Sequence, residues 1–342
     1  MKNALNVMLN REKSNAADER AAADLVRVKS MTRLNLKSKA LAVAFSVPAY
    51  MVAACLVLQP APVQAQEKTV AARVKDEKTA ERIDMVSGIR AMGQRIGASL
   101  CLAHAGIDAS ANTQIAADSM AELAGIIDAM ENGSAELGRG KEEDRRVMGS
   151  INGMKSNWAL FSARIEPLIA GEDVEANYDF LKRQNLNMSY ASRDLLVRLM
   201  QVYVQPPEIL QSYAFTLDIA ARQRAIAQQM AKEVCGLATN DPVMGNVLRL
   251  KNATRLFDLS LTALSDGFDA AGVIKPPSPE IAAKISAIKG EWDALEPSIK
   301  GATAMGAIDA AAAGEIFVKL DSIYAHLKDL GALYVQASKF QG

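Results

Sequence analysis

The feature that most constrains the fold of this chain is an internal repeat at a constant offset of 134 residues. Segment 83–103 aligns with segment 217–237, and the same offset pairs Trp158 with Trp292, the two tryptophans of the chain. One register holds over about 75 positions, which chance similarity does not produce. The sequence therefore contains a unit of about 130 residues written twice, and the fold must pack that unit two times.

Each copy has the pattern of helices and no clear pattern of strands. Apolar residues recur at three-to-four spacing over long stretches, and residues that favour helix, such as Ala, Leu, Met, Gln, Glu and Lys, are abundant. Turn residues separate these stretches at Asn132-Gly133, Pro206-Pro207 and Asp266-Gly267. The predicted helices of the first copy cover residues 79–106, 111–131, 140–170 and 174–205, and the second copy repeats this plan from 208 to 338.

These helices predict the fold class. Short connections favour antiparallel neighbours, so each copy is expected to form a four-helix bundle. We predict an all-α protein of two tandem four-helix bundles, residues 66–205 and 208–338, packed about a pseudo-two-fold axis. One continuous coiled-coil rod is the alternative, and the proline and glycine joints argue against it.

The first 65 residues have the features of an export signal. Basic residues precede an uncharged apolar run at 40–58, and the small-residue sequence Val63-Gln64-Ala65 follows that run. We therefore predict a leader and cleaved signal peptide over residues 1–65 and a periplasmic mature chain. The stretch before Met31 is unusually long for a leader, so Met31 is the expected true start. Two alternatives remain open: a lipoprotein with its lipid on Cys55, or an apolar run retained as an N-terminal membrane anchor.

Charge and composition exclude several functions. After residue 65 the chain has a net charge of −5 and no basic stripe, which argues against binding of nucleic acid. Two histidines and three cysteines leave few ligands for a metal site, and no nucleotide-binding loop or catalytic motif is present. We expect no cofactor, no metal and no enzymatic activity.

The first helix of each copy carries one arginine and one glutamine on a stripe of otherwise small side chains. At about 3.6 residues per turn, Gln94 lies one turn after Arg90, and Gln228 lies in the same relation to Arg224. If the stripes face each other, the two guanidinium groups converge and need a counter-charge. A small oxyanion fits, because a planar guanidinium binds trigonal oxygens through two hydrogen bonds. In the alternative, both arginines form ordinary salt bridges with acids on neighbouring helices.

Two cysteines lie on the same stripes, further towards the helix ends. Cys101 and Cys235 would face each other across the axis, and two thiols in an oxidising compartment usually pair. We predict a disulfide between them, and two separately buried thiols are the alternative.

The segment around Arg224 resembles a known family. Residues 222–232, RQRAIAQQMAK, resemble the GRQRMLSQRMAK box of the type IV pili methyl-accepting chemotaxis transducer N-terminal domain, which is grouped with the periplasmic domains of nitrate/nitrite sensor kinases. Residues 90–95 resemble the same box. The resemblance implies a four-helix sensor domain in which the first arginine of the box, from each of two subunits, binds one nitrate at their interface. By position, that role falls on Arg90 and Arg224.

The chain departs from the family pattern at several points. Ser87 and Ala221 stand where the family usually has glycine, and Gln229 replaces the second arginine of the box. No signalling segment follows the second copy, so we expect a separate membrane or periplasmic signalling partner. The expected function is a periplasmic sensor module for a small oxyanion, nitrate or nitrite, bound by Arg90, Arg224, Gln94 and Gln228. The alternative is a structural or interaction protein of the cell envelope or of the type IV pilus and chemotaxis system, without a small ligand.

Overall fold

The computed structural model describes residues 78–135, 140–184, 187–204, 209 and 211–338. The predicted signal peptide, its cleavage site and Cys55 lie outside these residues. Helices form most of the described chain, and the prediction of an all-α fold is confirmed. None of the described helices is long and apolar enough to cross a membrane. The helices are α1 (Thr79–His104), α2 (Ala109–Asn132), α3 (Arg145–Ile169), α4 (Val174–Gln184), α5 (Asn187–Tyr203), α6 (Gln211–Ala238), α7 (Val247–Asp266), α8 (Pro279–Met305) and α9 (Ala310–Ala337).

Capping side chains fix where four of the helices begin. In α3, α7, α8 and α9, a backbone N–H of the first turn donates to a side-chain oxygen of the residue before the helix, namely Asp144, Asn246, Ser278 and Asp309. One boundary differs from the sequence-based prediction, because the third helix begins at Arg145 and not at residue 140. The buried Glu142 carboxylate accepts the backbone N–H groups of the two residues that follow it, so this segment turns before the helix starts.

The end of the first copy also differs from the prediction. The single helix predicted over 174–205 is two helices, α4 and α5. The end of α5 is tied to the start of α1, because the Tyr203 hydroxyl and the Arg82 guanidinium both bind Glu142. Arg82 also lies over the Tyr203 ring, 4.3 Å from its centre. Further along α1, Gln94 binds Ser189 near the start of α5, so α1 and α5 run antiparallel.

Helices α1 and α6 form the central pair of the structure. Within the first copy α1 packs against α2 and α5, and within the second copy α6 packs against α7 and α9 in the corresponding way. The largest cluster of buried apolar residues draws on both copies, so the two copies share a core. The predicted boundary between them, at residues 205–208, falls outside the described chain and stays a prediction, as does the pseudo-two-fold axis.

A disulfide joins the two central helices. Cys101 of α1 and Cys235 of α6 are both fully buried, and their Cα atoms lie 6.2 Å apart. The bond connects equivalent positions of the two copies, 134 residues apart. The predicted pairing of these cysteines is therefore confirmed.

We expect Gly236→Ala to lower the free energy of unfolding by about 3 kcal/mol. A Cβ atom at this position of α6 would lie 1.9 Å from the backbone nitrogen of Gly245, so the turn before α7 would have to move. Gly290→Ala in α8 is the matched control, because a Cβ atom there meets nothing within 4 Å. That change should raise stability by about 0.5 to 1 kcal/mol, since alanine favours helix over glycine. Urea unfolding of both variants measures the difference, and equal effects would contradict the close helix–turn contact.

Candidate functional site

The four predicted binding residues lie on the first helices of the two copies. The two helices run parallel, because the disulfide joins their C-terminal ends and Arg224 of α6 reaches Asp84 in the first half of α1. The side chains of Gln94, Arg224 and Gln228 are buried, and the side chain of Arg90 is half-buried. The surroundings of the two arginines are nevertheless different.

Arg224 has an acid partner from the other copy. Its Nη2 donates to Asp84 Oδ1 at 2.7 Å and to the Asp84 backbone oxygen at 2.9 Å. Only 4% of the Arg224 side chain and 23% of the Asp84 side chain are exposed. Gly331 of α9 makes room for this pair, because a Cβ atom there would lie 2.6 Å from Asp84 Oδ1. The charge of Arg224 is therefore neutralised within the protein.

Arg90 has no such partner. No hydrogen bond or ion pair joins it to any described residue, although Asp218 of α6 lies close enough to act on its charge. Burial lowers the pKa of Arg90, and the nearby guanidinium groups of Arg222 on α6 and Arg193 on α5 lower it further. Arginine stays protonated in proteins, so Arg90 is a half-buried cation beside two others. We call Arg90, Arg193, Arg222 and Asp218 the Arg90 cluster.

One difference between the copies lies next to the unpaired arginine. Asp218 is the counterpart of Asp84, and symmetry would let it pair with Arg90. Position 222 is arginine, however, where the first copy has Gly88, and Arg222 forms an ion pair with Asp218 from one turn away. The second oxygen of Asp218, Oδ1, is buried without a hydrogen-bond partner among the described residues. Arg222 thus binds one oxygen of the carboxylate that is equivalent to the partner of Arg224.

The two glutamines also have different partners. Gln94 Nε2 donates to Ser189 Oγ of α5 at 3.2 Å. Gln228 Nε2 donates to Asp321 Oδ1 of α9 at 3.0 Å, and Arg95 binds the same carboxylate through two hydrogen bonds of 2.7 and 2.8 Å. Both glutamine carbonyl oxygens are buried without a partner in the described part of the chain. On the side of the central pair that faces α9, Arg95 and Arg224 are therefore neutralised by ion pairs with carboxylates. The side that faces α5 holds the Arg90 cluster.

Sequence reasoning missed the residues that decide the state of the two arginines. Asp84 and Asp218 precede their arginines by six residues in both copies, and this shared spacing could have marked them as candidate partners. The exchange of Gly88 for Arg222 was visible in the alignment of the copies. Arg193 gave no signal, because only the packing of α5 against α1 brings it near Arg90.

The Arg90 cluster is a candidate site for an anion. Three guanidinium groups share one carboxylate, which leaves an excess of positive charge beside a half-buried surface. Arg193 and Arg222 are exposed, so a solute can reach the cluster from solvent. A guanidinium forms charge-assisted and often bidentate hydrogen bonds with the oxygens of carboxylate or phosphate groups. In the described part of the chain, no group of three or more His, Cys, Asp or Glu residues is placed to hold a metal ion.

Comparison with protein families gives one match. Residues 209–314 match the family PilJ, described as "Type IV pili methyl-accepting chemotaxis transducer N-term". The match covers the second copy from just before α6 into the first turn of α9, and it includes the box with Arg222 and Arg224. No curated protein matches the chain. The predicted resemblance to this family is therefore confirmed as a match over residues 209–314, and it stays a prediction for the first copy and for the nitrate-sensor group.

Proposed function

We propose that this protein is a periplasmic sensor module that binds a small oxyanion, nitrate or nitrite, at the Arg90 cluster. The match of residues 209–314 to a chemotaxis transducer domain supports a role in sensing. The observation that carries the proposal of a ligand is Arg90 itself, a half-buried cation that has no hydrogen bond or ion pair within the described residues. A buried or half-buried charge without a partner is costly, and a bound anion would remove that cost.

The location of the cluster supports a signalling role. Its residues belong to three helices, α1, α5 and α6, which come from both copies. An anion held between Arg90, Arg193 and Arg222 would pull α5 and α6 towards α1, because each guanidinium gains hydrogen bonds only in the bound arrangement. In this proposal, a separate membrane or periplasmic protein receives the signal. Sequencing the N terminus of protein from a periplasmic extract tests the export that this role requires.

We expect one nitrate or nitrite ion to bind per chain, and we expect Arg90→Gln to weaken binding at least tenfold. The loss of one charge-assisted hydrogen-bonding group from a partly desolvated site costs about 1.5 to 3 kcal/mol, which corresponds to a factor of about 10 to 150. Titration calorimetry of the purified protein with nitrate, nitrite, sulfate and chloride measures both quantities. Arg255→Gln is the matched control, because Arg255 is an exposed arginine of α7 and should leave the affinity unchanged.

Two results would overturn this assignment. If none of the four anions binds to the parent protein, the structural or interaction protein becomes the better hypothesis. If Arg224→Gln abolishes binding as fully as Arg90→Gln in a protein that is still folded, the two arginines share the ligand, as the facing stripes predicted, and the Arg90 cluster is not the site.

A further inference from the structure

We infer that the groove beside the Arg90 cluster accepts an organic anion, a carboxylate with an apolar tail of about six to eight carbons. This inference rests on the proposed function, because it places the carboxylate at Arg90. It goes further by assigning the surface next to the cluster, where large apolar side chains are exposed on both walls of the groove.

The first wall is α5. Val197 follows Arg193 by one helical turn, so the two side chains share a face of the helix. Val197 is 47% exposed, and Tyr190, one turn on the other side of Arg193, is 60% exposed. An exposed aromatic and an exposed β-branched side chain thus flank the arginine that lies near Arg90.

The second wall is α6. Phe215 precedes Arg222 by two helical turns on the same face, and it is 41% exposed. Ile219 lies between them and is partly buried. Helices α5 and α6 both pack against α1 and make few close contacts with each other. In our inference, the groove lies between these two helices, over α1.

The directions of the helices bring the apolar side chains of both walls together. α6 runs parallel to α1 and α5 runs antiparallel to it, so α5 and α6 are antiparallel. Moving from Arg193 to Val197 therefore follows the same direction as moving from Arg222 to Phe215. The steps are about 6 and 10 Å along the two axes at 1.5 Å per residue. The groove is thus basic at the Arg90 cluster and apolar in the stretch that leads towards the start of α1.

The corresponding positions on the other side of the central pair are charged. The last helix of the first copy, α5, aligns with the last helix of the second copy, α9, at an offset of 131 residues, because segment 202–205 matches segment 333–336. Lys328 of α9 therefore corresponds to Val197 of α5. Glu81 corresponds to Phe215 at the offset of the first helices. Lys328 forms an ion pair with Glu122. At these two positions the side chains are apolar on the α5 side, where the unpaired arginine lies, and charged on the other side. Positive charge beside apolar side chains fits an amphipathic anion.

We expect octanoate to bind roughly 50 times more tightly than acetate. Each methylene that is fully buried improves affinity by a factor of about four, and half-burial of six methylenes gives about this ratio. The double variant Val197→Ser/Phe215→Ser should reduce the ratio of octanoate affinity to acetate affinity to about three or less. Arg90→Gln should lower the affinity for octanoate at least tenfold. Leu256→Ser, an equally exposed leucine of α7 outside the groove, should leave the ratio unchanged. Calorimetry below the micellar concentration of octanoate, with nitrate in parallel, measures all of these.

The arms of the experiment separate the two proposals. If nitrate binds through Arg90 and octanoate binds no better than acetate, the proposed function stands and the apolar groove is refuted. If octanoate binds through Arg90 and nitrate does not, the groove is supported and nitrate is excluded. If octylammonium, which has the same tail and the opposite charge, binds as tightly as octanoate, the inference is wrong because the tail alone is recognised.

Discussion

Reduction of the Cys101–Cys235 disulfide should lower the free energy of unfolding by about 4 to 5 kcal/mol. The bond closes a loop of 134 residues, and a cross-link over so long a segment removes much of the conformational entropy of the unfolded chain. Both sulfur atoms lie in the shared core between α1 and α6, so reduction also removes one covalent link between the two copies. The expected drop in Tm is roughly 10 to 15 °C for a domain of this size.

Thermal and urea unfolding with and without reductant measure this effect. The double variant Cys101→Ala/Cys235→Ala should unfold at the midpoint of the reduced parent, and reductant should not change it further. Peptide mapping without reduction should recover the two cysteine-containing peptides as one linked species. Equal midpoints for the oxidised and reduced parent would contradict a structural disulfide.

Asp84→Asn should lower stability by about 3 kcal/mol, whereas Arg90→Gln should leave it level or raise it. Asp84 is the acid partner of Arg224, whose side chain is almost fully buried, so the variant leaves a buried cation without its counter-charge. Arg90 has no partner to lose in the described chain and lies beside two other guanidinium groups, so its removal relieves repulsion. Removal of the acid partner of Arg224 and removal of the unpaired Arg90 are thus expected to change stability in opposite directions.

A double-mutant cycle isolates the pair. Asp84→Asn combined with Arg224→Gln should recover part of the loss, because the unpaired cation is then gone. Asp329→Asn is the matched control, since Asp329 forms an ion pair with Lys284 on the surface and should lose less than about 1 kcal/mol. Additive effects of the two central substitutions would show that Asp84 and Arg224 do not stabilise each other.

The repeat and the helical periodicity were sufficient to predict the all-α class and the disulfide. Both predictions depend on which residues of the two copies are equivalent, and the alignment of the copies shows this directly. Cys101 and Cys235 occupy the same position of two helices that pack face to face, so their pairing follows from the repeat. Helix ends were less predictable, because the start of α3 depends on how Glu142 is held by Arg82 and Tyr203.

The partners of the two arginines could not be predicted in the same way. The equivalent positions of Arg90 and Arg224 predicted a shared role. A side chain as long as arginine can, however, reach several nearby hydrogen-bond acceptors, and the sequence does not show which of them it binds. Two local features differ between the surroundings of the two arginines: Arg222 forms an ion pair with Asp218, and Gly331 leaves space for the Asp84 carboxylate. A repeat therefore predicts which residues are close to the central pair, and local differences between the copies decide which charge is left unpaired.

A crystal structure of the protein with nitrate tests the proposed site most directly. We expect planar density within about 3 Å of the Arg90 guanidinium, with Arg193 or Arg222 on its other side and the Arg224–Asp84 ion pair intact. An anion held between Arg90 and Arg224, or an Arg90 side chain paired with Asp218 and no anion near it, would contradict the proposal.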